Sequence, residues 1–151
     1  MDFVAVKDAN LIPFVLSQIL DSCVNGITLS DPDKEDNPLV YANEAFELIT
    51  GYSREEIMGR NCRFLQGNDR DQEGIEQIRQ AMRENKSVTV TLRNYRKDGE
   101  LFYNRFSIRP LFDREGRVIY YLGIQYDVTN QVQAEDELKR LNALLAKVDQ
   151  P

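Results

Sequence analysis

The order of elements along the chain predicts an α+β fold. Short strands come first, a run of small helices follows, and three longer strands then alternate apolar and polar residues across two tight turns. A chain of 151 residues fits one domain with short extensions and is long enough to bury roughly 70% of its unfolded surface.

Three segments are expected. Residues 1–22 read as an N-terminal helical cap, with Leu11, Phe14, Val15, Ile19 and Leu20 near helical spacing and Pro13 suited to a first turn. Residues 23–129 hold the core. It opens with a strand over 27–30 and a polar loop from Asp31-Pro32 to Asn37-Pro38, then a second strand over 39–42. A helix over 44–50 ends at Gly51 as its C-cap, and Ser53 with Glu56 makes a capping box for the next. A longer helix over 71–84 turns Ile75, Ile78 and Met82 to one side. Val88, Val90 and Leu92 alternate in a third strand, Asp98-Gly99 supplies a hairpin turn, and strands over 101–112 and 117–128 flank a second turn at 113–116. Residues 130–151 read as one amphipathic helix in which Leu138, Leu141, Leu145 and Val148 have the 3-4-3 spacing of a coiled-coil seam. Short of three heptads, the seam fits equally a helix docked on its own sheet and a dimer contact.

Composition excludes several functions. A net charge of −6 opposes a nucleic-acid binder, and the cluster Arg93, Arg96 and Lys97 reads as a solvated strand surface. The chain has no histidine, which removes the usual general base, metal ligand and partner of a catalytic cysteine. Cys23 and Cys62 are too few for a disulfide framework and fit a reducing compartment. The apolar run over 11–20 is too short to span a bilayer and has no basic leader. A cytoplasmic protein without membrane or metal is expected.

Strand parity supplies the internal clue to function. Counting by twos from Val88 places Asn94 on the buried face; Asn104 shares a face with Phe102, Phe106 and Ile108, and Gln125 with Ile119, Tyr121 and Gly123. A four-residue loop would pair Phe112 with Arg117 and so set Asn104 opposite Gln125. Buried carboxamides are costly unless hydrogen-bonded, and a group that both donates and accepts suits the edge of a planar heteroaromatic ring. Gly123 leaves room for such a ring to lie close to the sheet. The alternative is that the amides satisfy one another or a buried water. Cys62, in isolation, reads as an inert buried thiol; an adjacent arginine and a nearby helix start could lower its pKa, but without histidine no Cys–His nucleophile is possible.

The stretch GRNCRFLQ, Gly59 to Gln66, resembles the signature of LOV (light-oxygen-voltage) domains, the flavin-binding photosensory branch of the PAS superfamily, and of short bacterial LOV proteins in particular. Leu29-Ser30-Asp31-Pro32, Asp36-Asn37-Pro38, Thr50-Gly51-Tyr52-Ser53, Asn94-Tyr95-Arg96-Lys97-Asp98-Gly99 and Gly123-Ile124-Gln125 follow in family order. The resemblance covers residues 26–128 and implies a five-stranded antiparallel sheet with short helices on one face and flanking terminal helices.

It further implies a blue-light receptor that binds FMN, or another flavin such as riboflavin or FAD, and forms a reversible light-induced bond between Cys62 and flavin C4a. Asn94, Asn104 and Gln66 would hold the polar edge of the ring, and Gln125 would meet the ring and relay its change to the flanking helices. Arg63 and Arg79, with Arg70 in reach, would grip a phosphate. Thr28, Asn43, Leu92, Phe106, Ile108 and Tyr121 would line the cavity, and Asn61, Leu65, Ile78 and Gly123 would complete the site. Such a sensor turns over no substrate and is expected as a homodimer through its flanking helices. Two positions depart from the family: Tyr103 stands where tryptophan is frequent, facing outward, and Tyr121 where phenylalanine is common, near the ring. Rival readings are a PAS module sensing redox state or another small ligand, which has no need of Cys62; a flavin oxidoreductase, for which a glycine-rich phosphate fingerprint is wanting; and a plain dimerisation module. A haem sensor is disfavoured by the missing histidine.

Overall fold

The computed structural model of the chain describes residues 14–148. The expectations for residues 1–13, Leu11 and Pro13 among them, and for 149–151 lie outside the described residues. Five strands form one antiparallel sheet in the order β2-β1-β5-β4-β3, where β1 is Gly26–Ser30, β2 Leu39–Ala42, β3 Val88–Tyr95, β4 Leu101–Phe112 and β5 Val118–Asp127. The helices are α1 Phe14–Asp21, α2 Glu44–Thr50, α3 Arg54–Ile57, α4 Glu73–Arg83 and α5 Thr129–Val148, with a 3-10 helix at Cys62–Gln66.

Local chemistry sets the element ends. Gly51 closes α2 at φ 78°, a left-handed conformation in which its N–H donates to the Glu47 carbonyl. Ser53 caps α3 by accepting from Glu56 N, and donates its hydroxyl to the Glu56 carboxylate at 3.2 Å. Helix α4 begins two residues later than its apolar period predicts because Gln72 is occupied elsewhere. Its amide donates to Arg93 O and Asp69 O and accepts from Arg93 N at 2.8 Å, covering part of the free edge of β3. Asp69 reinforces the join: Arg93 and Tyr95 both donate to its carboxylate and hold its pKa down at about 2.

The inner faces of β3 and β4 bury Val90, Leu92 and Asn94, and Phe102, Asn104, Phe106 and Ile108, as parity predicts. The expected pairing of Asn104 with Gln125 is corrected. The turn closes between Asp113 and Arg117, whose backbones bond at 2.8 Å, so Phe112 meets Val118. A bulge then places Tyr120 opposite Leu111, Gln125 opposite Phe106 and Asp127 opposite Asn104. The slip totals two residues, so Gln125 keeps its face and stands diagonal to Asn104. Ile119 falls at the bulge, and Val118 packs on the core in its place.

The core is split. Ile75 of α4 packs with Val90, Leu92, Phe106, Ile108 and Tyr121 on one side, while Leu39, Ala42, Phe46, Ile57 and Leu65 form a second cluster under α2 and α3. At Gly74 the first turn of α4 runs so near β3 that an added Cβ would lie 2.9 Å from the Leu92 side chain. The docking of α5 on its own sheet is not realised. No residue of α5 is buried, and Leu138, Leu141, Leu144, Leu145 and Val148 are 47–78% exposed. None of the described helices is long and apolar enough to cross a membrane.

Asn43 holds the start of this assembly together. Its Oδ1 accepts from Ile27 N at 2.8 Å and Phe46 N at 3.1 Å, and its Nδ2 donates to Leu20 O and Asn25 O. One fully buried side chain thus caps α2 and ties it to β1 and to the end of α1. Replacing it by alanine removes the cap and leaves buried backbone groups unpaired, so Asn43→Ala is expected to lower stability by about 2–4 kcal/mol in urea unfolding.

Candidate functional site

Between the two halves of the core lies a cavity of about 320 Å³, within the range of sites that enclose a small molecule. The sheet forms its floor through Thr28 and Ser30 of β1, Leu92 and Asn94 of β3, Asn104, Phe106 and Ile108 of β4, and Tyr121, Gly123 and Gln125 of β5. The 3-10 helix brings Cys62, Arg63, Leu65 and Gln66 to the opposite wall, and α4 adds Ile75, Ile78, Arg79 and Met82. Leu92 and Leu65 show the division: each belongs to a different half of the core, and both meet the cavity.

Polar groups on this floor are only partly satisfied. Asn104 Nδ2 donates to Asn94 Oδ1 at 3.0 Å, and Asn94 Nδ2 donates to Arg93 O. Gln125 Nε2 donates to Thr28 Oγ1 at 3.3 Å. The carbonyl oxygens Asn104 Oδ1 and Gln125 Oε1 are buried with no donor. An unpaired buried acceptor costs on the order of 1–3 kcal/mol, so both oxygens call for a donor from within the cavity. The alternative that the amides satisfy one another holds only for the bond from Asn104 to Asn94; the Gln125 nitrogen is met by Thr28 instead. Gly123 keeps the floor open: an added Cβ there would stand 2.5 Å from Thr28 Oγ1 and 2.9 Å from the Phe106 ring. The Tyr121 hydroxyl turns away to α4 and its C-terminal end, within 3.3 Å of Met82 O and 3.1 Å of Asn85 Oδ1.

Cys62 faces this space from the start of the 3-10 helix. Burial pushes its thiol pKa up, against the smaller pull of the Arg63 charge. Burial thus outweighs the lowering that the neighbouring cation could give, and at neutral pH the sulfur keeps its proton.

The exposed wall residues Lys34, Asp36, Arg70 and Arg79 mark the mouth, beside half-buried Arg63. The excess of positive charge suits an anionic group there. The forked end of Arg63 is engaged by Asp36, both nitrogens donating at 2.6 Å, and this ion pair holds the Asp36 carboxyl below the usual range. Arg79 donates to Glu76 and Arg70 to Gly67 O. Asn61 spans the gap between loop and helix: its Nδ2 donates to Asp36 O and its Oδ1 accepts from Arg63 N.

Of the residues expected at the site, Asn43 alone lies away from the cavity, because its amide is consumed by the backbone of α2, β1 and α1. Parity and motif reading missed Ser30, Pro32, Lys34, Asp36, Asn37 and Leu39 at one side and Ile75 and Met82 at the other. The last two carried a signal, since they share the apolar face of α4 with Ile78. The loop residues showed only turn chemistry, which does not reveal what a loop folds over.

A model of the PAS domain family matches residues 24–130. Over 137 residues the chain is 40% identical to a blue-light photoreceptor of Listeria monocytogenes, covering 91% of this chain and 54% of that protein. The chain thus spans about half the length of that curated relative. A solved structure described as an RNA-binding Light-Oxygen-Voltage Receptor superposes with a TM-score of 0.81 at 37% identity, over 100% of this chain and 42% of that one. Another, described as "Flavin Analogue Sheds Light on Light-Oxygen-Voltage Domain Mechanism", gives a TM-score of 0.73 at 39% identity, over 89% and 98% of the respective chains.

The state of Cys62 is open to a direct check. In a Cys23→Ser background and in the dark, iodoacetamide labelling of Cys62 followed by mass spectrometry is expected to be slow at pH 7. Because the raised pKa shifts thiolate formation upward, the rate should still be climbing at pH about 9.5, where a free thiol approaches its plateau.

Proposed function

On the premise that this chain belongs to the light-oxygen-voltage branch of the PAS domains, we propose that it is a blue-light receptor with a flavin in the cavity beneath its sheet. One observation carries the reading: two buried carbonyl oxygens without donors, on Asn104 and Gln125, share a cavity with the protonated thiol of Cys62. A flavin fits these residues because its polar edge alternates N–H and C=O groups, its flat ring suits the space over Gly123, and the tail of FMN carries the anion that the mouth favours.

A bound flavin would supply a ring that absorbs blue light and can take up both the sulfur and the proton of Cys62, returning both in darkness. The remaining steps belong to the chain. Asn94, Asn104 and Gln66 hold the ring edge, while Leu92, Phe106, Ile108 and Ile78 exclude water from it. Cys62 keeps its proton on Sγ until it reacts, so it needs no histidine base. Arg63 and Arg79 take the phosphate of FMN, Arg63 by exchanging an exposed contact with Asp36. Gln125 answers any change in the hydrogen-bonding sense of the group facing it, since a half-turn of its amide exchanges oxygen for nitrogen.

That turn has a route outward. Two residues beyond Gln125, Asp127 accepts from Arg96 at 2.8 Å and from Thr129 N at 3.1 Å, and the Thr129 hydroxyl accepts from Tyr103 N. These bonds fix where α5 leaves the sheet, so a shift of β5 re-aims the helix. A signal requires different contacts in the two states. We assign residues 23–129 to the sensor core, 1–22 to an N-terminal cap and 130–151 to the output helix, whose exposed leucines pair with a second copy. The protein acts as a cytoplasmic sensor and not as an enzyme. RNA binding is a property described for one relative; the net charge of −6 here gives no reason to extend it.

The purified protein is expected to be yellow, to lose its blue absorption band on illumination and to regain it in the dark. Cys62→Ala should keep the colour and abolish the reversible loss; colourless protein after incubation with flavin, or a band indifferent to light, would sink the proposal.

Sizing the chain tests the role of α5 separately. Leu141→Ser with Leu145→Ser should convert the dimer to monomer with the colour and light response of the core intact, as read by light scattering and absorption.

A further inference from the structure

We propose that Gly26 is a positioning residue for the relay: its missing side chain leaves the space in which the Gln125 amide turns. The inference rests on the reading of Gln125 above and deepens it by assigning what permits the turn, a residue outside the lining of the cavity.

The amide of Gln125 is bracketed by two glycines. Gly26 stands directly opposite Gln125 in the β1–β5 ladder. A Cβ added there would lie 3.2 Å from Gln125 Oε1, 3.2 Å from the Gln125 Cβ and 3.3 Å from the Phe46 ring. At the other end of the amide, a Cβ added to Gly123 would lie 3.1 Å from Nε2. Gly123 also meets the cavity, whereas Gly26 does not. The backbone of Gly26 does not call for glycine either, since it is not among the glycines with positive φ. Glycine inside a strand weakens it, so its use here points to the close approach of a neighbour.

The surroundings cannot yield this space by moving. Asn43 holds β1 on both sides of Gly26, donating to Asn25 O at 3.0 Å and accepting from Ile27 N at 2.8 Å. Phe46 is fully buried and packed with Leu39, Ala42, Ile57 and Leu65. A methyl group on Gly26 would therefore press on the Gln125 side chain, and it would press unequally on the two orientations of the amide. As the structure stands, the oxygen lies on the Gly26 side and Nε2 donates to Thr28 Oγ1 at 3.3 Å. After a half-turn the NH2 group takes the place of the oxygen, and its two hydrogens need more room. A side chain on Gly26 thus penalises the turned amide more than the unturned one. Such a difference between two states is what a shift of population requires.

The test uses the FMN-loaded chain and follows the side-chain amide protons of Gln125 by NMR. In the wild type they should show cross-peaks to Thr28 in darkness and to Gly26 under blue light. Gly26→Ala should stay yellow and still form the Cys62 bond, because the residue does not touch the cavity. Under light it should keep the cross-peak to Thr28 and lose most of the light-induced change in hydrogen exchange at the first turn of α5. A wild type without the light-dependent cross-peak to Gly26 overturns the proposal whether or not the variant folds. So does a Gly26→Ala chain whose α5 responds as in the wild type, or one that loses its colour or the Cys62 bond, which would place the effect at the ring. Gln125→Leu that keeps the full response of α5 overturns the relay reading itself; Gln125→Leu that loses it beside a responsive Gly26→Ala overturns only the role of Gly26.

Discussion

A carbonyl oxygen buried without a donor is unfavourable by on the order of 1–3 kcal/mol, and Asn104 and Gln125 each bring one to the inner face of the sheet. Much of the surrounding structure can be understood as the housing of that deficit. The apolar core is divided in two so that a space remains above these amides. Gly123 keeps that space flush with the sheet, since a single methyl group there would meet Thr28 and Phe106. The nitrogens of the same amides are bonded to Asn94 and Thr28, which fixes each side chain while leaving its oxygen free. An ordinary core would place leucine or valine at these positions and gain from burial. Retaining amides makes sense where a ligand completes them, and a completed polar network is both stronger and more specific than its separate bonds.

Much of this layer was legible from period-two alternation alone, because one face of β3, β4 and β5 is buried and a strand cannot change the face of one residue without changing all. Parity identified Asn94, Asn104 and Gln125 correctly even though the pairing of β4 with β5 was misjudged by two residues. The error lay in the turn, where the Asp113 carboxylate accepts from Glu115 N and Arg117 N at 2.9 Å and moves the closure by one residue before the bulge adds another. Turn chemistry of this kind depends on side-chain geometry that residue type alone does not determine. Asn43 failed for a related reason. An asparagine ahead of a helix serves as an N-cap through local bonds, and only the fold shows that its remaining groups are also consumed.

The mouth was the least legible part. Lys34, Asp36 and Asn37 belong to a loop whose residues signalled a turn and nothing more, yet the turn folds back over the Cys62 helix and closes one side of the site. Charge explains why it stays there: the Asp36–Arg63 pair and the Asn61 amide fasten loop to helix. The pair is solvent-exposed and therefore worth little by itself, which leaves Arg63 free to exchange partners at small cost.

The hairpin end of β3 and β4 shows how a site inside the fold can act at a distance. Arg96 stacks 4.6 Å over the ring of fully buried Phe102, donates to the carbonyl of Ile49 at the end of α2, and reaches Asp127 at the end of β5. One guanidinium therefore joins the small helices, the central strands and the departure point of α5. Between it and the cavity on β5 lies only the short segment from Gln125 to Asp127, and beyond it α5 buries nothing against its own core. A helix without packing of its own has its direction set by the few bonds at its first turn. Small motions of β5 then suffice to redirect it, whereas a docked helix would have to lose its packing first. The same exposure that leaves α5 free to be steered also leaves its leucines open to solvent, so under the proposed function the coupling of site to output and pairing with a second copy would both draw on one feature of the fold.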